Sequence, residues 1–277
     1  MGIWSASDER LPAMYFRGRV DRLSALIERF QVDATVAYAR EQAQGPANFF
    51  LYLTPQSTFE LIYLARDQIQ LNDESKSTGL SDGSELVLAA FIKVTGAGKG
   101  VVVSLPDVLR LNLEENPSLK GVVSLLIEEV QHPRCGSGAA FQRLCEVVII
   151  RLLRCVLEKS GTTGGLLAGL SHPRLAYAIV AMHHRLSETW SLDTLASEAG
   201  MSRTQFAVVF KEIVGVTPIS YLNSWRLEVS RTLLAEGMPV KNVAKECGFA
   251  SPAAFSRAFS RQYGYSPKGE VRQRAAA

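Results

Sequence analysis

The sequence predicts an α+β chain in two parts: an N-terminal half of short strands followed by two helices, and an all-α C-terminal half built on two helix-turn-helix units. Three observations lead there. The pattern Phe-x3-Phe-x4-Gly-x2-Pro occurs at Phe206, Phe210, Gly215, Pro218 and again, 49 residues on, at Phe255, Phe259, Gly264, Pro267; such self-similarity marks one supersecondary unit used twice. Residues 34–105 break into short apolar runs separated by Gly, Pro, Asn and Asp, as the strands of a sandwich or small barrel do. A chain of 277 residues is also long enough for two domains, each with its own core.

In the N-terminal half, Val20, Leu23, Ile27 and Phe30 fall at helical spacing and predict an opening helix. Strands follow at residues 34–39, 49–53, 59–65, 86–93 and 101–105. Two helices come next, over residues 117–130 and 139–157. In the second, Phe141, Leu144, Val148, Leu152 and Val156 form one core-facing stripe. Val147, Ile149, Ile150 and Leu153 lie beyond that stripe and predict a partner helix, which makes the chain a homodimer. The stretch KSGTTGG at 159–165 reads as a flexible linker. The expected domains are therefore residues 1–158 and 172–277, with the linker over 159–171.

Each C-terminal unit reads helix, tight turn, helix. Leu192, Leu195, Ala196 and Ala199 precede Gly200 in the first, and Val240, Val243, Ala244 and Cys247 precede Gly248 in the second. Ser202 and Ser251 are N-caps for second helices over residues 202–214 and 252–263. At 3.6 residues per turn, the two Phe of each pattern face the core. The opposite face carries Thr204, Ala207, Val208 and Lys211 in one unit and Ala253, Ser256, Arg257 and Ser260 in the other. Small, polar and basic side chains on a helix of this kind suit the major groove of duplex DNA, where Arg reads guanine and Ser or Thr reads several edges. A helical pattern over 219–236 joins the units. Its span of about 27 Å is close to the rise of one DNA turn.

Residues 170–274 resemble the DNA-binding domain of AraC/XylS-type transcription regulators, through WSLDTLASEAGMSRTQFAVVFKEIVGVTPISYLNSWRLEVSRTLL and PVKNVAKECGFASPAAFSRAFSRQYGYSPKGEVR. The resemblance implies that both second helices enter consecutive major grooves, with Ala253, Ser256 and Arg257 facing DNA in the second. In the first, Val208 and Val209 stand where relatives commonly carry Arg or another polar residue. Arg203, Thr204 and Lys211 are then that helix's main candidates, with an apolar side chain left to meet a thymine methyl. The N-terminal half is similar to the cupin-type sensor domain of one branch of the same family, through DRLSALIERFQVDATV, SLPDVL and CGSGAAFQRLCEVVIIRLLR. That similarity implies a cupin-like β-barrel. Where relatives read Phe-His and Cys-Gly, this chain reads Phe59-Glu60 and Leu88-Ala89.

No histidine precedes His132, so a cupin metal site of two or three imidazoles is not expected. Glu60 is either a carboxylate inside the barrel, able to hold a cationic small-molecule effector, or a rim residue in solvent. Cys135, Cys145, Cys155 and Cys247 have no paired spacing and read as thiols of a reducing compartment. Cys135, in the turn HPRCGSG, is the candidate for a redox-sensitive thiol. TGAGKG at 95–100 has letters of a phosphate loop, but Lys93 stands where its first glycine belongs and Gly100 where Ser or Thr would hold magnesium. It reads as a hairpin turn before a strand. His172, His183 and His184 have no carboxylate or serine constellation beside them and are expected in surface or capping roles. No enzyme activity, cofactor or metal is expected.

From His172 onward there are 13 Lys and Arg against 8 Asp and Glu, and before it 17 against 19, so the basic balance lies with the repeat. No run approaches the roughly 20 apolar residues of a membrane span, and Asp8, Glu9 and Arg10 do not suit a signal peptide. The expectation is a cytoplasmic, sequence-specific regulator that binds double-stranded DNA, works more as an activator through RNA polymerase, and answers to a small effector or a thiol. Base readout falls to Arg257, Ser256 and Ala253, then Thr204 and Arg203. Lys211, Lys241, Lys245 and Arg261 are phosphate contacts, with Ala207, Val208 and Ser260 completing the surface. The alternatives are a protein-binding adaptor that has kept the repeat but lost DNA through Val208 and Val209, or a ligand-insensitive regulator with a degenerate first helix-turn-helix.

Overall fold

The computed structural model describes residues 15–16, 19–39, 42–43, 45–66, 68–70, 83–158 and 164–270. The chain opens with the paired two-residue strands β1 (Tyr15–Phe16) and β2 (Arg19–Val20) and a single helical turn, α1 (Ser24–Ile27). The Asp21 carboxylate anchors that turn by accepting from the backbone N–H groups of Leu23 at 3.2 Å and Ser24 at 3.0 Å. The opening helix read from Val20 to Phe30 is thus cut to four residues. Val20 already belongs to β2, and Phe30 begins β3 (Phe30–Ala39).

There follow β4 (Gln42–Ala43), β5 (Pro46–Ala47), β6 (Phe49–Leu53), β7 (Phe59–Leu64), β8 (Ile69–Gln70) and β9 (Glu85–Gly96), then α2 (Lys99–Val103) and β10 (Val108–Asn112). Six strands form one sheet in the order β10-β7-β6-β9-β3-β4, and β5 pairs with β8. In the antiparallel β6–β7 pair Phe50 faces Ile62 and Tyr52 faces Glu60, while Phe50 meets Ala89 on β9. Side chains alternate along each strand. Phe50, Tyr52, Ile62 and Ala89 therefore gather on one face in a buried cluster with Ala37 and Ala47. Phe49, Leu51, Leu61 and Tyr63 are also buried, so the central strands are covered on both faces.

The strand expected at 101–105 is replaced by the end of α2, which stops at Val103, and β10 is an additional strand. Three consecutive valines favour a strand by propensity, but tertiary packing decides here. A Cβ on Gly98 would stand 2.6 Å from the Leu26 carbonyl oxygen and 2.8 Å from Phe30 Cβ. The glycine-rich stretch is therefore a packing device against the α1–β3 corner. A five-residue helix, not a strand, follows its turn.

Beyond the sheet, α3 (Pro117–Gln131) and α4 (Ser137–Glu158) pack on each other. The Gln142 side chain ties α4 to β3 by accepting from Ala34 N at 2.9 Å and donating to the Val32 carbonyl. The stripe on α4 is core as expected, with Phe141, Val148, Leu152 and Val156 buried and Leu144 half-buried. Ile149 and Leu153 are buried within the same chain, so of the surface assigned to a partner helix only Val147 is exposed.

The remaining helices are α5 (Gly165–Ser171), α6 (Leu175–His184), α7 (Leu192–Glu198), α8 (Arg203–Val214), α9 (Pro218–Ala235), α10 (Val240–Glu246) and α11 (Pro252–Tyr263). The linker expected over 159–171 is shorter, since Gly165–Ser171 forms α5 and packs on α6 and α8. Leu166, Leu167 and Leu170 are buried, and that apolar face draws the segment into the domain. Residues 159–163 lie outside the described residues. The chain separates into two compact units. One holds Gln31–Thr95 with Lys99 and the residues through α4; the other holds the described residues up to Phe30, Gly96–Gly98 and everything from α5 onward. The boundary expected near 158 thus leaves out one exchange: α1 packs on α6.

His183 on α6 departs from the expectation as well, because it is core and not surface. It is 1% exposed, its Nε2 lies 2.6 Å from the Tyr221 hydroxyl, and its ring sits 4.5 Å from Trp225. Burial, aided by His184 and Arg29, pulls its pKa from 6.5 down to about 3. An imidazole depressed in the folded state stays neutral while the unfolded chain takes up its proton below about pH 6.5. Stability is therefore expected to fall by about 1.4 kcal/mol for each pH unit below that point until the folded pKa is reached. Urea unfolding between pH 6.5 and 5 measures the slope, and His183→Gln should flatten it. His172 has the capping role expected, its Nδ1 accepting from Arg174 N at 3.2 Å and Leu175 N at 3.1 Å.

Candidate nucleic-acid interface

Both repeat units are closed by the same hydrogen bonds. Gly200 N–H donates to Ser197 O and Met201 N–H to Ala196 O; Gly248 N–H donates to Lys245 O and Phe249 N–H to Ala244 O. These end α7 and α10 and turn the chain into the next helix. Ser202 Oγ accepts from Gln205 N at 3.3 Å, and Ser251 Oγ from Ala254 N at 3.1 Å, so both expected N-caps are in place. Gly215 and Gly264 end α8 and α11 in the left-handed region.

Phe206 and Phe210 are fully buried, as are Phe255 and Phe259. With those four anchors inward, α8 presents Arg203, Thr204, Val208 and Lys211 to solvent, with Ala207 half-buried. On α11, Ala253, Arg257 and Arg261 are exposed, and Ser256 and Ser260 are half-buried. All these candidates fall on the outward sectors of their helices. Lys241 and Lys245 are exposed one turn apart on α10. Ser256 Oγ donates to the Pro252 carbonyl at 2.8 Å, which occupies its proton and leaves its lone pairs outward. Arg203 Nη1 lies 3.3 Å from Asp193 Oδ2, both side chains well exposed. An ion pair so placed is worth at most about 1 kcal/mol and yields readily to another partner.

Two residues that hold this surface were not foreseen. Arg226 on α9 is 8% exposed, and its guanidinium donates to the carbonyls of Leu186 at 3.1 Å and Glu188 at 2.6 Å. Gly248 lies against it, where a Cβ would meet Arg226 Nη2 at 2.6 Å. The turn of the second unit therefore needs glycine for its φ of +69° and for that approach. In α9, Arg226 reads as a polar position of an amphipathic helix, and only the fold reveals that its face is buried. Further along α9, Arg231 stacks 4.9 Å over the Tyr263 ring and pairs with Glu270 at 3.2 Å.

The N-terminal candidates are apart from this surface in sequence and in kind. Glu60 is half-buried on β7, on the same sheet face as Ile62 and opposite buried Tyr52 and exposed Asn112. Cys135 is exposed in the turn between α3 and α4, whereas burial pushes the thiols of Cys145 and Cys247 up to about 12. Half-buried Cys155 is 3.5 Å from Asn116 Oδ1. Thiolate is the reactive form, so a disulfide reagent on the native chain is expected to modify Cys135 first and to leave Cys145 and Cys247 silent until unfolding. Peptide mapping after brief labelling would show the order. Among the described residues no three His, Cys, Asp or Glu side chains are grouped to hold a metal ion. No helix among them is long and apolar enough to cross a membrane.

Comparison with known proteins agrees with both halves. A helix-turn-helix domain family matches residues 195–274, and a cupin family matches residues 45–158. An AraC-like transcription regulator of Streptomyces antibioticus is 31% identical over 199 residues, covering 70% of this chain and 65% of its own length. The RCS-specific HTH-type transcriptional activator RclR of Escherichia coli (strain K12) is 28% identical over 209 residues, 73% of each chain. The chain thus spans a little under two thirds of the first relative's length and a little more of the second's. The crystal structure of the DNA-binding domain of AdpA, the global transcriptional factor, in complex with a target DNA, is 35% identical. It covers 38% of this chain and 96% of that one, with a TM-score of 0.36.

Proposed function

This chain belongs to the AraC-like family of transcription regulators and carries a cupin domain ahead of its helix-turn-helix domain, and on that premise we propose that it is a sequence-specific regulator that binds double-stranded DNA through α8 and α11. One observation carries the reading. Two helices 49 residues apart in sequence, capped and anchored alike, present unlike side chains outward with cations beside them. Arg257, Ser256 and Ala253 would read base edges, with Thr204 and Arg203 next. Lys211, Lys241, Lys245 and Arg261 would position the duplex through phosphates.

The sign of regulation is activation, a reading supported by the Escherichia coli relative, itself an activator, and it makes RNA polymerase a second partner. The cupin half is the sensing and dimerising part. Half-buried Glu60 is where a cationic effector would be held, and exposed Cys135 is where an oxidant would act. A DNA target places the protein in the cytoplasm. Fluorescence anisotropy of the purified full-length chain on genomic promoter fragments at increasing salt tests the DNA reading. A slope of about 0.9 in log K for each phosphate neutralised, summing to several units, is expected. Salt-independent or absent binding would favour the protein-binding adaptor instead.

A further inference from the structure

The 49-residue repeat sets the two recognition helices in register, position by position. Phe206 corresponds to Phe255, Ala207 to Ser256, Val208 to Arg257 and Phe210 to Phe259. Exposure follows the same register: Phe206 and Phe255 are buried, Ala207 and Ser256 half-buried, Val208 and Arg257 exposed, Phe210 and Phe259 buried. One frame thus holds out two side chains of opposite chemistry at one position, a guanidinium in the second unit and an isopropyl group in the first.

Val208 is 50% exposed, and it is not an isolated surface valine of the ordinary kind. With Ala207, Leu192, Pro218 and Ile219 it lines an open, almost wholly apolar depression of about 340 Å³. Ile219 is itself 38% exposed, and Val216 nearby in sequence 43%. Lys211 stands at the edge of the depression and Arg203 at the start of the same helix. Cations at both ends of the helix suit a DNA groove, Lys211 toward a phosphate and Arg203 toward a base edge, and they leave an apolar side chain between them at the place from which its counterpart Arg257 projects. The major-groove edge of duplex DNA offers one apolar group, the C5 methyl of thymine.

We infer that Val208 is a specificity-determining residue that reads a thymine methyl, so that the two halves of the binding site are recognised by different chemistry: methyl contact in the first block and a charged bidentate contact by Arg257 in the second. The inference rests on the DNA-binding function proposed above. It has a consequence for orientation. A site whose halves are chemically distinct can be occupied in one direction only, which fixes the direction in which the protein faces along a promoter.

The test uses the full-length protein and a duplex it enriches from a random pool. Each thymine of the first block is replaced singly by deoxyuridine, which removes the methyl and leaves the pairing edge intact. One replacement is expected to weaken binding about three- to fivefold, the effect of one methyl withdrawn from apolar contact. Val208→Ala should weaken binding to the thymine duplex by a similar factor and be indifferent to that replacement. Val208→Arg, at an exposed position that tolerates the side chain, should shift selection at that base pair toward guanine. If no deoxyuridine in the block matters, or Val208→Ala keeps the full sensitivity of the parent, the methyl contact is overturned while DNA binding stands. If the chain enriches no duplex at all, the DNA-binding reading falls, and this inference falls with it.

Discussion

Phe259→Ala is expected to destabilise the C-terminal domain by about 3–5 kcal/mol, the usual cost of emptying a fully buried aromatic site. The ring has no exposed surface, and it is the hub of the second unit's core. Phe255 lies 5.6 Å away at an edge-on angle, Tyr263 4.7 Å and Tyr265 5.8 Å. Tyr265 and Arg231 both bind Glu270, so the cavity would also loosen the polar closure beyond α11. Most domains are stable by only 5–15 kcal/mol, and such a loss consumes a large part of that. Urea denaturation should show a lower midpoint with an unchanged slope. DNA affinity should fall only as far as the folded fraction falls, because Phe259 faces away from the proposed groove.

Arg257→Ala is expected to do the reverse. Its guanidinium is exposed and pairs with no acidic side chain among the described residues, so unfolding should shift by no more than about 0.5 kcal/mol. Affinity for the preferred duplex should drop by about 1–3 kcal/mol, roughly 5- to 150-fold, and discrimination should relax at one base pair. Weakening by the same factor on all sequences would demote Arg257 to a phosphate contact. Set side by side, the two variants separate a residue that builds the interface from one that reads with it.

The C-terminal half was legible almost to the residue because its signals are local. Serine caps, glycine ends, Pro218 and Pro252 at first helical turns and paired phenylalanines each act within a few residues, and their double occurrence checks one copy against the other. Arg226 escaped because its partners, the carbonyls of Leu186 and Glu188, lie some 40 residues away in sequence. In the N-terminal half the five-residue run at 101–105 reads as a strand but Val101–Val103 lie in α2, since short apolar runs carry no periodicity to arbitrate between the two. Which residues Glu60 faces is likewise a question of register, and only the strand pairing sets it opposite Tyr52 and Asn112. The role of α5 was hidden by its glycine-rich flank. KSGTTGG reads as linker, and the leucines that follow declare a helix only once α6 and α8 are there to cover them.

The most direct measurement of the central claim is selection of randomised duplex DNA on the purified full-length chain, followed by sequencing of what is retained. The predicted result is an enriched site of two unlike blocks about one helical turn apart, one with a guanine step lost in Arg257→Ala and one with a thymine lost in Val208→Ala. A single enriched block would contradict readout by α8, and a pool returned without enrichment would contradict sequence-specific DNA binding by this chain.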